Sequence, residues 1–247
     1  MRLLVYNIRY GVGNGSSSAV PLPGARYLFA EAAELNRIID FIKREDPDII
    51  GLIEVDTGSM RSGRVNQAEM IAEAIGHYSC FQNKYGAASV NQRIPIVRKQ
   101  ANAFLASPRV RGERFHYFDT GIKRLIIELE LDDAAIFLVH LSLKYRHRQM
   151  QLRRLHELVE RCSKPVIVAG DFNTFWGSDE IYLFMKASGL RNVNTAGLPS
   201  YPTRSPRMEL DFILCSETID VTDFRIPQVP FSDHLPLICD FEVRDND

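Results

Sequence analysis

The sequence is short of cysteine, of net charge and of long apolar runs, and each shortage removes a class of protein. Its four cysteines, Cys80, Cys162, Cys215 and Cys239, are widely spaced and form no CxxC pair. That spacing offers neither a zinc site nor a disulfide framework, so reduced, mostly buried thiols are expected. The formal net charge of -1 argues against a protein that coats nucleic acid by bulk electrostatics, although it leaves room for a local basic pocket. The apolar run at the N-terminus, Leu3-Leu4-Val5-Tyr6, is too short for a signal-peptide core or a membrane span. No transmembrane segment is expected, and the location expected is cytoplasmic. No low-complexity linker and no fixed-period repeat divide the chain, so residues 1–247 read as a single domain, expected to be monomeric.

What is present is an average globular composition, 45% hydrophobic and 25% charged, enough for a sizeable core. Strands are expected at residues 2–8, 48–53, 103–106, 125–131, 135–139, 166–170, 210–214, 221–226 and 237–243. Residues 11–24, rich in Gly, Ser and Pro, read as a loop. Helical spacing of apolar residues predicts helices near 27–44, 66–75, 148–161 and 179–186. The third should carry Met150, Leu152, Leu155, Leu158 and Val159 as its inward stripe.

The informative pattern is that apolar strands repeatedly end on a polar residue. They deliver Asn7, Glu54, His140, the pair Asp171 and Asn173, and Asp211, while Ser232-Asp233-His234 precedes the last strand. Any one of these alone reads as a turn residue or helix cap. Together they form a set. In a strand-like continuation Asp171 and Asn173 would share a face, with Phe172 turned into the core. Glu54 with Asn7 and Asp233 supplies hard oxygen ligands of the kind Mg²⁺ or Mn²⁺ accepts. His140 and His234 titrate near neutrality, so either suits a general base, and Asp211 or Asp233 suits the carboxylate that orients it. No Ser or Cys lies in a nucleophile elbow such as GxSxG, which favours attack by an activated water. This chemistry is metal-assisted hydrolysis of a phosphate ester.

The motifs Asn7-Ile8-Arg9-Tyr10-Gly11, Leu52-Ile53-Glu54-Val55, Val139-His140-Leu141, Gly170-Asp171-Phe172-Asn173, Leu210-Asp211-Phe212-Ile213 and Ser232-Asp233-His234 occur in a telling order. The chain resembles the endonuclease/exonuclease/phosphatase superfamily from its first motif to its last. Arg148, Gln151 and Leu155 also resemble the family's Arg-x-x-Gln-x-x-x-Leu helix, and Asn102-Ala103-Phe104-Leu105 its Asn-Ala-hydrophobic-Leu strand. The resemblance implies a four-layer α/β sandwich, two mixed β-sheets packed face to face with helices on the outside. It implies Glu54 as the principal metal ligand helped by Asn7, and Asp171 and Asn173 as positioners of the attacking water and a phosphate oxygen. It implies His234 as the acid/base group oriented by Asp211, Asp233 as a metal-side or water-side carboxylate, and His140 as a donor to the phosphate. One departure is visible: Ile53 stands where many members carry Gln, which removes a polar neighbour of Glu54.

The family spans nucleases, lipid phosphodiesterases and phosphoinositide phosphatases, so the fold does not choose the substrate. Between residues 93 and 124 eight Lys or Arg face two acids, Glu113 and Asp119. Arg146, Arg148, Arg153 and Arg154 add a second basic cluster, and Arg124 at a strand start and Arg148 near His140 in sequence are the substrate-side cations expected. With one tryptophan, Trp176, the chain lacks the aromatic surface for prying a duplex apart. Trp176 reads equally as a pocket rim or a core residue. The expected activity is hydrolysis of a small-molecule or lipid phosphoester. The alternatives are a nuclease and a catalytically silent phosphate-binding protein.

Overall fold

The computed structural model describes residues 1–14, 32–83, 96–107 and 110–244. Most of the expected 11–24 loop and the start of the helix expected from 27 lie outside them. The first sheet holds β1 (Arg2–Asn7), β2 (Ile49–Asp56), β3 (Tyr78–Asn83), β4 (Gln100–Ala106), β11 (Ile219–Arg225) and β12 (Leu237–Val243). Its order is β11-β12-β1-β2-β4-β3, with β1 and β2 parallel. The second holds β5 (Gly112–Tyr117), β6 (Leu125–Glu130), β7 (Ala135–His140), β8 (Val166–Asp171), β9 (Leu190–Asn192) and β10 (Asp211–Ser216). Its order is β5-β6-β7-β8-β10-β9, with β7 and β8 parallel. Helices α1 (Ala32–Glu45) and α2 (Gln67–Ile75) cover the first sheet, and α3 (Tyr145–Glu160) and α4 (Tyr182–Ala187) the second. The expected four-layer sandwich is what forms.

Strand alternation explains the layers. In β1, Leu3 and Val5 point into the space between the sheets, while Leu4 and Tyr6 pack under α1 and α2. In β7, Ile136 and Leu138 face the other sheet and Phe137 and Val139 face α3. Both faces are covered, so these strands are near-continuous apolar runs, over residues 3–6 and 135–139, as buried sheets require. Gly51 lies against the opposite sheet: a Cβ there would sit 2.8 Å from Leu138 Cδ1.

Two local expectations are corrected. Helix α3 begins at Tyr145, not near 148, and Met150 is exposed instead of inward. Arg148 and Gln151 take the buried face beside Leu152 and Leu155, so an apolar count misplaces both the start and the stripe. The short strand β9, absent from the sequence reading, pairs with β10 over Leu190–Asn192.

Candidate active site

The alternation that fills the core also builds the site. His140 continues the inward parity of Ile136 and Leu138, Asp171 that of Ile167 and Ala169, and Asp211 that of Ile213 and Cys215. In the ladder His140 pairs with Asp171 and Asp171 pairs with Asp211, so three polar groups stand abreast at one end of the inter-sheet core. Asn7, on the inward parity of Leu3 and Val5, meets them from the first sheet: its Nδ2 donates to Asp171 Oδ2 at 3.1 Å. The glycine before Asp171 is obligatory. Gly170 has φ +142°, and a Cβ there would lie 1.9 Å from the carbonyl oxygen of Val139.

Asn173 meets Asp171 through its backbone, not by strand alternation. Asn173 has φ 53°, and its backbone N–H donates to Asp171 Oδ1 at 3.0 Å, an Asx turn. Its side-chain Nδ2 donates to the Leu141 carbonyl at 3.0 Å, which fixes the amide. Phe172 turns into the core against Phe212, as expected.

His234 Nδ1 hydrogen-bonds Asp211 Oδ2 at 2.8 Å, and the Ser200 hydroxyl donates to the same oxygen at 2.6 Å. The far nitrogen, Nε2, lies 4.0 Å from Asp171 Oδ2, and the Tyr201 ring packs on the imidazole with centroids 4.8 Å apart. Burial works against a charged His234, but Asp211 and Asp171 outweigh it and push its pKa up to about 10. Burial likewise opposes ionisation of Asp171, yet His140 and His234 hold it well below the usual carboxylate range. Burial raises the Asp211 carboxyl, against the pull of His234. The metal-free site therefore holds an imidazolium beside an ionised Asp171. His140 Nε2 stands between that carboxylate, 3.2 Å away, and the ammonium of Lys123, which touches it.

Glu54 sits at an irregularity. The β2–β4 register shifts between Leu52 and Val55, and Glu54 takes φ 58° inside the bulge. Its backbone N–H donates to Asn102 Oδ1 at 3.3 Å, and the residue lines a cavity of about 550 Å³. Ile53, in the family's Gln position, is buried in the inter-sheet core. Asp233 is half-buried, with Oδ2 3.4 Å from Arg9 Nε, and its neighbour Ser232 donates to the Asn7 carbonyl at 2.7 Å.

Two groupings offer themselves to a cation. Ligand atoms of Asp171, Asp211 and His234 lie within 4.8 Å of one another. That trio is already joined by the His234–Asp211 hydrogen bond, so it suits proton handling better. Glu54 and Asn7 stand on the paired strands β2 and β1, Ser232 ties the Asp233 loop to the Asn7 carbonyl, and the oxygen donors of these three residues, without Cys or His, are of the type a hard divalent cation takes.

The substrate-side arginines part company. Arg124 is exposed and lines the same cavity as Glu54. Arg148 is wholly buried: its Nε donates to Glu180 Oε2 at 2.9 Å and its Nη1 to the carbonyls of Ser142 and Leu143 at 2.8 and 3.0 Å. Its donors are spent on the protein, so its reading as a phosphate fork is corrected to that of a brace. Trp176 is 80% exposed, which removes its reading as a core residue. Sequence reasoning missed Lys123, Ser200 and Tyr201 as site residues. Lys123 adjoins Arg124 in the basic stretch, but Ser200 has no local signal at all.

A model of the Endonuclease/Exonuclease/phosphatase family matches residues 4–234. The uncharacterized protein YbhP of Escherichia coli strain K12 is 32% identical over 117 residues, 44% of this chain and 46% of that protein. The chain thus spans about half the length of the curated relatives it matches. The human Nocturnin catalytic domain, solved with a bound sulfate anion, superposes with TM-score 0.70 at 20% identity, covering 99% of this chain and 94% of that one. A mannosyl-6-phosphatase of Bacteroides thetaiotaomicron superposes with TM-score 0.71 at 16% identity, covering 98% and 99%. At these identities the two structures show the shared fold.

Proposed function

Because the chain belongs to the endonuclease/exonuclease/phosphatase family, whose members hydrolyse phosphoester bonds and are generally dependent on a divalent metal, we propose that it is a Mg²⁺- or Mn²⁺-dependent phosphoesterase. The observation that carries this reading is the alignment of His140, Asp171 and Asp211 across three neighbouring strands, closed by His234, which is held by Asp211 and faces Asp171.

Glu54 and the Asn7 carboxamide would hold the metal, with Asp233 at its flank. A bound divalent ion withdraws charge from the phosphate oxygens and favours attack at phosphorus. The attacking water lies against the Asp171 carboxylate, with the Asn173 amide directing it. Its oxygen bonds to phosphorus as the bond to the leaving oxygen breaks. The water proton passes to Asp171 and the His234 Nε2 proton goes to the leaving oxygen. Transfer from Asp171 to His234, 4.0 Å apart, then resets the pair. Asp211 and Ser200 keep the imidazole in place, and His140 with Lys123 donates to a phosphate oxygen.

The test is hydrolysis of bis-p-nitrophenyl phosphate with Mg²⁺ or Mn²⁺, and its loss with EDTA. Asp171→Ala and His234→Ala should each lower kcat by about 10²–10⁴. Full activity in either variant would sink the reading. Plasmid and an abasic oligonucleotide, assayed at low salt, separate a nuclease from an esterase acting on smaller substrates.

A further inference from the structure

Resting on that reading, we infer that the substrate carries a second phosphate, received by Arg124 and Lys144 in the cavity beside Glu54. The cavity, about 550 Å³, is in the range of small-molecule sites and is larger than one phosphate needs. Glu54 lines it, and Lys123, also in its wall, reaches His140 in the catalytic cluster. Arg124 and Lys144 line the same cavity.

Charge decides the class of ligand. With Glu54 set aside for the metal, the described residues of the lining include three permanent cations, Lys123, Arg124 and Lys144, against one carboxylate, Asp119. Lys123 faces the scissile phosphate through His140, which leaves a cation surplus among the described lining residues. A phosphate monoester brings about -1.5 to -2 charges at neutral pH. Arg124 donates Nε to the Gly121 carbonyl at 2.7 Å, which orients the guanidinium and leaves both terminal nitrogens to a ligand. The Lys144 ammonium has no hydrogen bond or ion pair among the described residues. The first turn of α3 also carries no acid, where the helix dipole would favour one, and carries Arg146 and His147 instead.

The walls are built in advance. Gln151, buried, donates to the carbonyls of Thr120 and Lys123 at 3.0 and 2.7 Å and accepts from the Ser142 N–H at 2.8 Å. Arg148 holds the carbonyls of Ser142 and Leu143 from below. The two loops bearing Arg124 and Lys144 are thereby fixed relative to each other before any ligand arrives, which lowers the ordering cost of binding.

Matched substrates test this: inositol 1,4-bisphosphate against inositol 1-phosphate, and adenosine 3′,5′-bisphosphate against adenosine 5′-monophosphate, with bis-p-nitrophenyl phosphate as reference. Vesicles containing phosphatidylinositol 4-phosphate, or phosphatidylinositol alone, form the lipid arm. At least one bisphosphate should exceed its monophosphate partner about tenfold or more in kcat/KM, and the ratio should fall to near one in the Arg124→Ala/Lys144→Ala variant. Calorimetry in EDTA should show the same difference in affinity for the metal-free protein, again lost in the variant. Preference confined to vesicles assigns a lipid source, and preference for a soluble pair assigns a free one. Equal constants for every pair, or a preference that survives the double variant, overturns the inference. Turnover of the reference diester in that preparation shows the phosphoesterase reading still standing. If no substrate is turned over with metal, that reading fails instead, and the EDTA calorimetry alone decides the second-phosphate site.

Discussion

His234 shows how far a single residue's chemistry was readable. Its place in Ser232-Asp233-His234 marks it as an acid/base group; residue chemistry alone leaves Asp211 and Asp233 open as its orienting carboxylate, and the family resemblance implies Asp211. The structure selects Asp211 by a 2.8 Å hydrogen bond, while Asp233 faces Arg9. It also sets the protonation state, which no motif shows: with a pKa of about 10 the ring enters as the acid. The folded value lies above the ordinary histidine value of about 6.5. His234 therefore stabilises the metal-free fold fully below about pH 6.5, and this contribution is lost as pH rises through about 10. Expected are a ring-proton NMR titration of His234 near pH 10 in EDTA and a thermal midpoint that declines over the same alkaline window. Asp211→Asn should bring the titration back toward about 6.5 and flatten the decline. A midpoint near that ordinary value in the wild type would refute the imidazolium assignment.

At the scale of elements, hydrophobic period located the strands and helices, while polar residues on buried faces and local backbone reversals defeated it. Helix α3 is the clearest case. Arg148 and Gln151 break its apolar stripe because the buried face must satisfy the carbonyls of Ser142, Leu143, Thr120 and Lys123. The Arg-x-x-Gln resemblance flagged these residues without their task. Arg148→Ala leaves Glu180 buried without its cation, and urea denaturation should show a loss of about 3–5 kcal/mol. Gln151→Ala strands the Ser142 N–H and should cost about 1–3 kcal/mol, with KM rising more than kcat falls because the cavity walls loosen. A stable Arg148→Ala protein with unchanged KM would mean that the brace is not needed. Glu54 is the second case: a plain strand reading put it past the strand, whereas a bulge within β2 turns it toward the cleft. Bulges re-aim side chains in this way, and the register shift that does so depends on the partner strand β4.

At the scale of the molecule, the site is a seam that no window of sequence contains. Asn7 meets Asp171 across 164 positions, and Ser232 meets Asn7 across 225. Order and residue type pointed to the membership of the site, because Asn7, His140, Asp171 and Asp211 each sit at the inward end of an apolar strand. Which loops would wall the cleft was not legible, since that depends on how α3 docks on the second sheet. The seam also predicts how metal acts on the whole fold. Glu54 and Asn7 lie on adjacent parallel strands, and Asn7 bonds to Asp171 of the other sheet, so a cation held there ties the two sheets together. A ligand that binds only the folded state adds about 2.7 kcal/mol at one hundred times its dissociation constant. For a domain of this size that corresponds to a thermal midpoint about 5–11 °C higher. Scanning calorimetry with and without Mn²⁺ should show that rise, and Glu54→Gln should remove most of it while keeping the apo midpoint close to wild type. A rise retained in Glu54→Gln but lost in Asp211→Asn would move the metal from the Glu54 cleft to the Asp171–Asp211–His234 trio, and the proton assignments made for that trio would then fall.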